Sequence, residues 1–234
     1  MVTIKELRNA ARTKRRDPIY TFMDFLAYYP AKIFIWGSLT ANQITIFWII
    51  GQIISCLFLI TGNYLTTIIA LLSFQSMFIL DCADGIVARY KNQFTLNGIY
   101  LDYLGHYIAN PLLLICFGIG VARSQGSLIY IVLGISGAFL FLLNKAITLN
   151  PCWYKNKKQR EKIENSLTKS LLTNQNIFLS FLFSLFRLEY LFNFMFWGVL
   201  FGYANYTLII YVILFFLELL RKIITQLFHN YKLD

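Results

Sequence analysis

Acidic side chains are scarce in this chain, and three of its 11 Asp and Glu fall close together. Asp81 and Asp84 are one helical turn apart and are followed by Arg89. A short polar connection, Tyr90 to Asn97, leads to Gly98, Asp102 and His106 at steps of four. Several carboxylate oxygens converging on one point suit a hard dication such as Mg²⁺ or Mn²⁺. An arginine beside them has the planar fork that grips a phosphate. Metal-assisted chemistry on a phosphate ester is therefore the first expectation. The alternative is structural: one carboxylate pairing with Arg89 or Lys91 at an interface.

Helical spacing is what lets these groups share a site. Asp81, Asp84 or Gly85, and Ala88 fall on one stripe of a helix, and Gly98, Asp102 and His106 on one stripe of the next. Gly85, Ala88, Gly98 and Gly105 lack bulk, so two helices can approach there or a ligand can reach the backbone. Immediately before Asp81 lies a long uncharged run, Ile33 to Leu80, and others cover Tyr103–Ala122, Ser124–Asn144 and Tyr190–Leu217. A spanning helix needs about 20 mostly apolar residues. Residues are 58% hydrophobic and 14% charged, against roughly 25% charged in soluble domains, and the mean hydropathy is +0.59. The expectation is an all-α membrane bundle of six spans, at 41–60, 64–81, 97–121, 126–147, 178–202 and 205–224. Thr61-Gly62-Asn63 and Gly202-Tyr203-Ala204-Asn205 supply turns. Residues 1–32 form a basic N-terminal arm and 33–234 the transmembrane domain.

The net charge of +10 is a matter of placement. Lys5, Arg8, Arg12, Lys14, Arg15, Arg16 and Lys32 lie in the arm, and Lys155, Lys157, Lys158, Arg160, Lys162 and Lys169 in the fourth-to-fifth connection. With six spans these fall on one side and Arg123 on the other, so both termini and the acidic site are expected to be cytoplasmic. Such segments hold anionic lipid headgroups; without an aromatic reading surface beside them, no nucleic-acid partner is expected. The first 18 residues show no signal-peptide pattern. Leu7, Ala10 and Ala11 suggest a weak amphipathic helix, a flexible basic tail being the alternative; Phe22, Phe25, Leu26, Tyr28 and Tyr29 suit a membrane interface. Cys56, Cys82, Cys116 and Cys152 form no CxxC pair and read as buried apolar residues. Arg187 and Glu189 interrupt the fifth span, either as functional charges or at its water boundary.

Together these residues resemble a known family. Asp81-Cys-Ala-Asp84-Gly85-Ile-Val-Ala88-Arg89, eight residues, then Gly98-Ile-Tyr-Leu-Asp102 resembles the signature of the CDP-alcohol phosphotransferases: Asp, two residues, Asp-Gly, two residues, Ala-Arg, about eight residues, Gly, three residues, Asp, three residues, Asp. The last position departs, with His106 in place of Asp. Leu39-Thr40-Ala41-Asn42-Gln43-Ile44-Thr45 is similar to the family's Thr-Pro-Asn-x-x-Thr lead-in to the first span, with Ala41 in place of Pro.

The resemblance implies a membrane transferase that moves a phosphoalcohol from a CDP-alcohol, CDP-diacylglycerol being one such donor, to a hydroxyl acceptor with release of CMP. It implies two divalent ions, Mg²⁺ or Mn²⁺, held by Asp81, Asp84, Asp102 and His106. Arg89 would hold phosphate; Gly85, Ala88 and Gly98 would make room for CMP, with Asn42 near the nucleotide. His106 and Asp102 would serve catalysis at the acceptor, since imidazole can take a proton or ligate a metal. Homodimers are common in the family, although no residue pattern here shows one. The alternative, raised by His106 alone, is a catalytically impaired nucleotide-binding protein on the same fold. A transporter fits poorly, because the acids sit at one end of the spans rather than mid-membrane. Lys145, Arg187 and the 155–162 basic run are candidate acceptor contacts by location.

Overall fold

The computed structural model describes residues 3–11, 18–93, 95–149 and 193–228. Among these the protein is entirely helical: α1 (Ile4–Ala11), α2 (Pro18–Trp36), α3 (Ala41–Leu59), α4 (Tyr64–Tyr90), α5 (Leu96–Gln125), α6 (Ile129–Leu149), α7 (Phe194–Leu200) and α8 (Ala204–Phe228). Four of them, α3 to α6, are long and apolar enough to cross a membrane. Outward-facing Ile46, Phe47, Ile50, Ile54, Leu57 and Phe58 make the exposed side of α3 apolar along its length, as lipid contact requires. The protein is an integral membrane helix bundle. The first part of the expected fifth span, with Arg187 and Glu189, lies outside the described residues, as do the 155–162 run, Lys169 and Cys152.

Helix ends follow local chemistry. Thr40 caps α3 through a capping box: the Gln43 amide donates to its Oγ1 at 3.3 Å, and the Thr40 amide donates to Gln43 Oε1 at 3.0 Å. Asn63 caps α4 by accepting from the Leu65 amide, and Thr95 caps α5 by accepting from the Gly98 amide. Gly62 has a positive φ of 70°, which the tight turn between α3 and α4 demands.

The expected second span covers 64–81, and the helix that contains it runs on through the Asp84–Ala88 stripe to Tyr90, the first residue of the expected connection. Cys82, Ala83, Ile86 and Val87 explain it, because they are buried with Leu7 of α1 and Met23, Ala27 and Ala31 of α2. A 27-residue helix is about 40 Å long, while the hydrocarbon is about 30 Å thick. One end of α4 therefore reaches beyond it, and the charges of Asp84 and Arg89 favour the end that carries them.

Packing runs from α2 to α4, α3, α5, α6 and α8 in turn, and α7 bridges α8 back to α4. The larger core lies within this ring and holds Phe74, Phe117, Leu113, Met195, Leu208 and Tyr211. Close approach of α5 and α6 depends on two glycines. A Cβ on Gly118 would stand 2.6 Å from the Tyr130 carbonyl oxygen and 2.9 Å from Gly134 Cα. Near the opposite end of α6, Asn144 donates to the Phe215 carbonyl of α8 at 2.8 Å, and Lys222 donates back to the Asn144 carbonyl at 3.0 Å. The expected tail helix is present, and Leu7 is fully buried.

Candidate functional site

The site forms where α4 leaves the bundle and α5 enters it, with α3 as its floor. Asp81 stands on α4, and Asp102 and His106 on successive turns of α5. His106 Nε2 lies 3.7 Å from Asp81 Oδ2 and 3.6 Å from Asp102 Oδ1. The three donor atoms lie within 4.8 Å of one another. Two ligands of a single ion bound at about 2.1 Å can be no more than about 4.2 Å apart. Both histidine distances satisfy that limit, so the imidazole can share a dication with either carboxylate, and the third atom lies close by.

Asp84 plays a different part. It is buried, and its Oδ2 accepts from Trp48 Nε1 at 2.8 Å and lies 2.6 Å from the Thr45 hydroxyl. Thr45 also lies 3.0 Å from the Ala41 carbonyl; its single proton serves one acceptor at a time. One oxygen of Asp84 is thus committed to α3, unlike the oxygens that cluster around His106. A buried carboxylate needs such donors.

Trp48 has a second contact. Its ring lies 5.2 Å from that of His106, tilted by 35°. Gly105 makes room for this, since a Cβ there would stand 2.5 Å from Trp48 Cη2 and 2.6 Å from Ile49 Cγ1. Thr45 and Trp48 are residues of this site that motif and spacing do not single out. Thr45 was part of the lead-in motif without a role, and Trp48 had none. The available signal was their register with Ala41: all three are buried on one face of α3 at steps of four and three.

The remaining expected residues assemble around this centre. Arg89 folds back along α4, with Nη2 3.3 Å from where a Gly85 Cβ would stand. The space left by Gly85 is therefore taken by the guanidinium. Asn42 and Gly98 meet across α3 and α5, since a Cβ on Gly98 would stand 2.8 Å from Asn42 Oδ1. Ala88 is half-buried on α4. The N-termini of α3 and α5 come together here, and helix N-termini favour anions. Lys91 closes the edge by donating to the Leu39 carbonyl at 2.7 Å. Lys145 instead lies along its own helix, 5.5 Å over the Phe141 ring. Cys56, Cys82 and Cys116 are buried free thiols, as expected.

No curated protein matches the chain. Residues 38–204 match the CDP-alcohol phosphatidyltransferase family, a stretch that begins just before the α3 cap and takes in every group of the site. With that match covering most of its length and its acids gathered where α3, α4 and α5 meet, the chain belongs to the CDP-alcohol phosphatidyltransferase family.

Proposed function

We propose that this protein transfers the phosphoalcohol of a CDP-alcohol to a hydroxyl acceptor through a metal-dependent site built on Asp81, Asp102 and His106. The observation that carries the reading is the convergence of those three side chains from two helices, within a chain of this family. Family membership itself supports phosphoalcohol transfer from a CDP-alcohol; the residue roles below are the proposal.

Asp81, Asp102 and His106 would hold the divalent ion, Mg²⁺ or Mn²⁺, and a second would draw on Asp84. Bound metal supplies Lewis acidity and neutralises charge on the diphosphate. Arg89 holds non-bridging phosphate oxygens, and Asn42 beside Gly98 borders the nucleotide. The acceptor oxygen bonds to the β-phosphorus, and the bond from that phosphorus to the bridging oxygen breaks, leaving CMP. Asp102 receives the acceptor's proton, a role supported by its being the most exposed member of the cluster, at 45%. Thr45 and Trp48 keep Asp84 oriented.

The basic arm and the Arg89–Lys91 pair support a cytoplasmic site. A lipid acceptor or donor such as CDP-diacylglycerol fits a mouth at the membrane boundary and a role in phospholipid synthesis. The test is CMP release by the purified protein in lipid-containing detergent, across a panel of CDP-alcohols and acceptors, with Mn²⁺ or Mg²⁺ and with chelator. Release should require metal and fall by at least about a hundredfold in Asp81→Asn. Nucleotide binding without release from any donor would sink this reading in favour of the impaired binding protein that the histidine raises.

A further inference from the structure

His106, where this chain departs from the family's acidic signature, is also the hub of the cluster. His106 Nε2 is the atom common to both short separations, 3.7 Å to Asp81 and 3.6 Å to Asp102. An ion held by either of those carboxylate oxygens therefore has the imidazole within reach. We propose that His106 makes the Asp81–Asp102–His106 cluster a mixed nitrogen–oxygen site that selects first-row transition-metal dications over Mg²⁺. The inference rests on the metal-site reading above and concerns which ion that site takes.

Ligand chemistry supplies the preference. Mg²⁺ demands oxygen donors and keeps its waters, whereas imidazole suits the transition ions, whose affinity for nitrogen rises across the row. A neutral histidine in place of a carboxylate also removes one negative charge from the site. That weakens the Coulombic hold on every dication, and the nitrogen compensates only for ions that bond to it well.

Packing makes the imidazole a fixed donor. The Trp48 ring lies 5.2 Å from the His106 ring. Trp48 is itself fully buried and tied by Nε1 to Asp84. Gly105, one residue before His106, lets the indole approach. Swinging the imidazole away from Asp81 and Asp102 would disturb this contact.

Mn²⁺ alone, without nucleotide, is the probe. The purified full chain in lipid-containing detergent is titrated with Mn²⁺, and the free ion is followed by electron paramagnetic resonance. Mg²⁺ is then added as competitor, and pulsed resonance reads nitrogen coupling to the bound ion. The expected result is imidazole nitrogen coupling in the wild type and in His229→Gln, the chain's other histidine being His229. His106→Asp should lose the coupling, and the Mg²⁺ needed to displace half the Mn²⁺ should fall at least about tenfold in that variant. Bound Mn²⁺ without nitrogen coupling, or with unchanged competition in His106→Asp, overturns the selectivity and leaves the metal site standing. No Mn²⁺ binding to the wild type overturns both. Where His106→Asp does not fold, nitrogen coupling that persists in His229→Gln still assigns the ligand to His106, and wild-type Mn²⁺ half displaced by an equal concentration of Mg²⁺ overturns the selectivity.

Discussion

Asp84 is the residue whose surroundings say most about how the site is built. Its carboxylate is buried beneath the cluster and receives Trp48 Nε1 and faces the Thr45 hydroxyl. A hydrogen bond to a charged group contributes about 1.5–3 kcal/mol, and an orphaned partner costs as much again. Trp48→Phe keeps an aromatic ring beside His106 and removes only the donor. It should destabilise by about 1–3 kcal/mol and reduce CMP release, with melting temperature and turnover measured on one preparation. Trp48→Ala also empties a fully buried volume, so its cost should be larger, about 3–5 kcal/mol. Equal melting temperatures for Trp48→Phe and wild type would show that the indole N–H contributes nothing to holding Asp84. The motif made Asp81, Asp84 and Asp102 legible in the sequence as a group. It did not separate Asp84, turned to α3, from Asp81 and Asp102, turned to His106, because that depends on which neighbour offers a donor.

At the scale of the elements, small residues decide how closely helices approach. Inside a membrane no hydrophobic gain pulls two helices together, so packing of their surfaces must do it. On α5 and α6 the contact is backbone against backbone at Gly118 and Gly134. Gly118→Ala would press a methyl against the Tyr130 carbonyl, and backbone cannot rotate aside as a side chain can. We expect a loss of about 1–3 kcal/mol, read as a lower melting temperature in detergent. Gly137→Ala is the control, since its nearest neighbour is Val212 Cγ2 at 3.3 Å, a side chain able to shift. A Gly118→Ala protein that melts with the control would show that α5 and α6 can separate freely. The hydrophobic runs announced both helices. They did not announce this contact, because a glycine in an apolar run looks the same whether it faces lipid or another backbone. The capping box at Thr40 and Gln43 was equally present in the motif; it explains why Ala41 serves where the family carries Pro, since Pro at the first helical position is favoured rather than required.

Across the whole molecule, the N-terminal arm lies entirely outside the family match, which begins at residue 38, yet it packs on the helix that carries the acids. α1 has eight residues, too few to hold a helix alone in water, so its form depends on Leu7, buried with Ala83, Ile86 and Val87. Leu7→Asp would place a charge in that cluster and should release α1. Trypsin would then cut at Lys5 and Arg8 at least about tenfold faster, while the α3–α6 bundle keeps its melting temperature. Unchanged cleavage would mean that Leu7 does not hold the arm. The chain alone determined that this is a membrane helix bundle, because an uncharged run as long as Ile33–Leu80 has no other stable solution. It also determined that Asp81, Asp84, Asp102 and His106 lie near one another, because helical periodicity fixes which residues share a stripe. Only the tertiary structure decided that the end of α4 packs on α1 and α2 through Cys82, Ala83, Ile86 and Val87, and that Trp48 links Asp84 to His106. Each of those depends on side chains meeting between helices, and sequence spacing specifies the face of a helix but not the rotation and depth at which two faces engage.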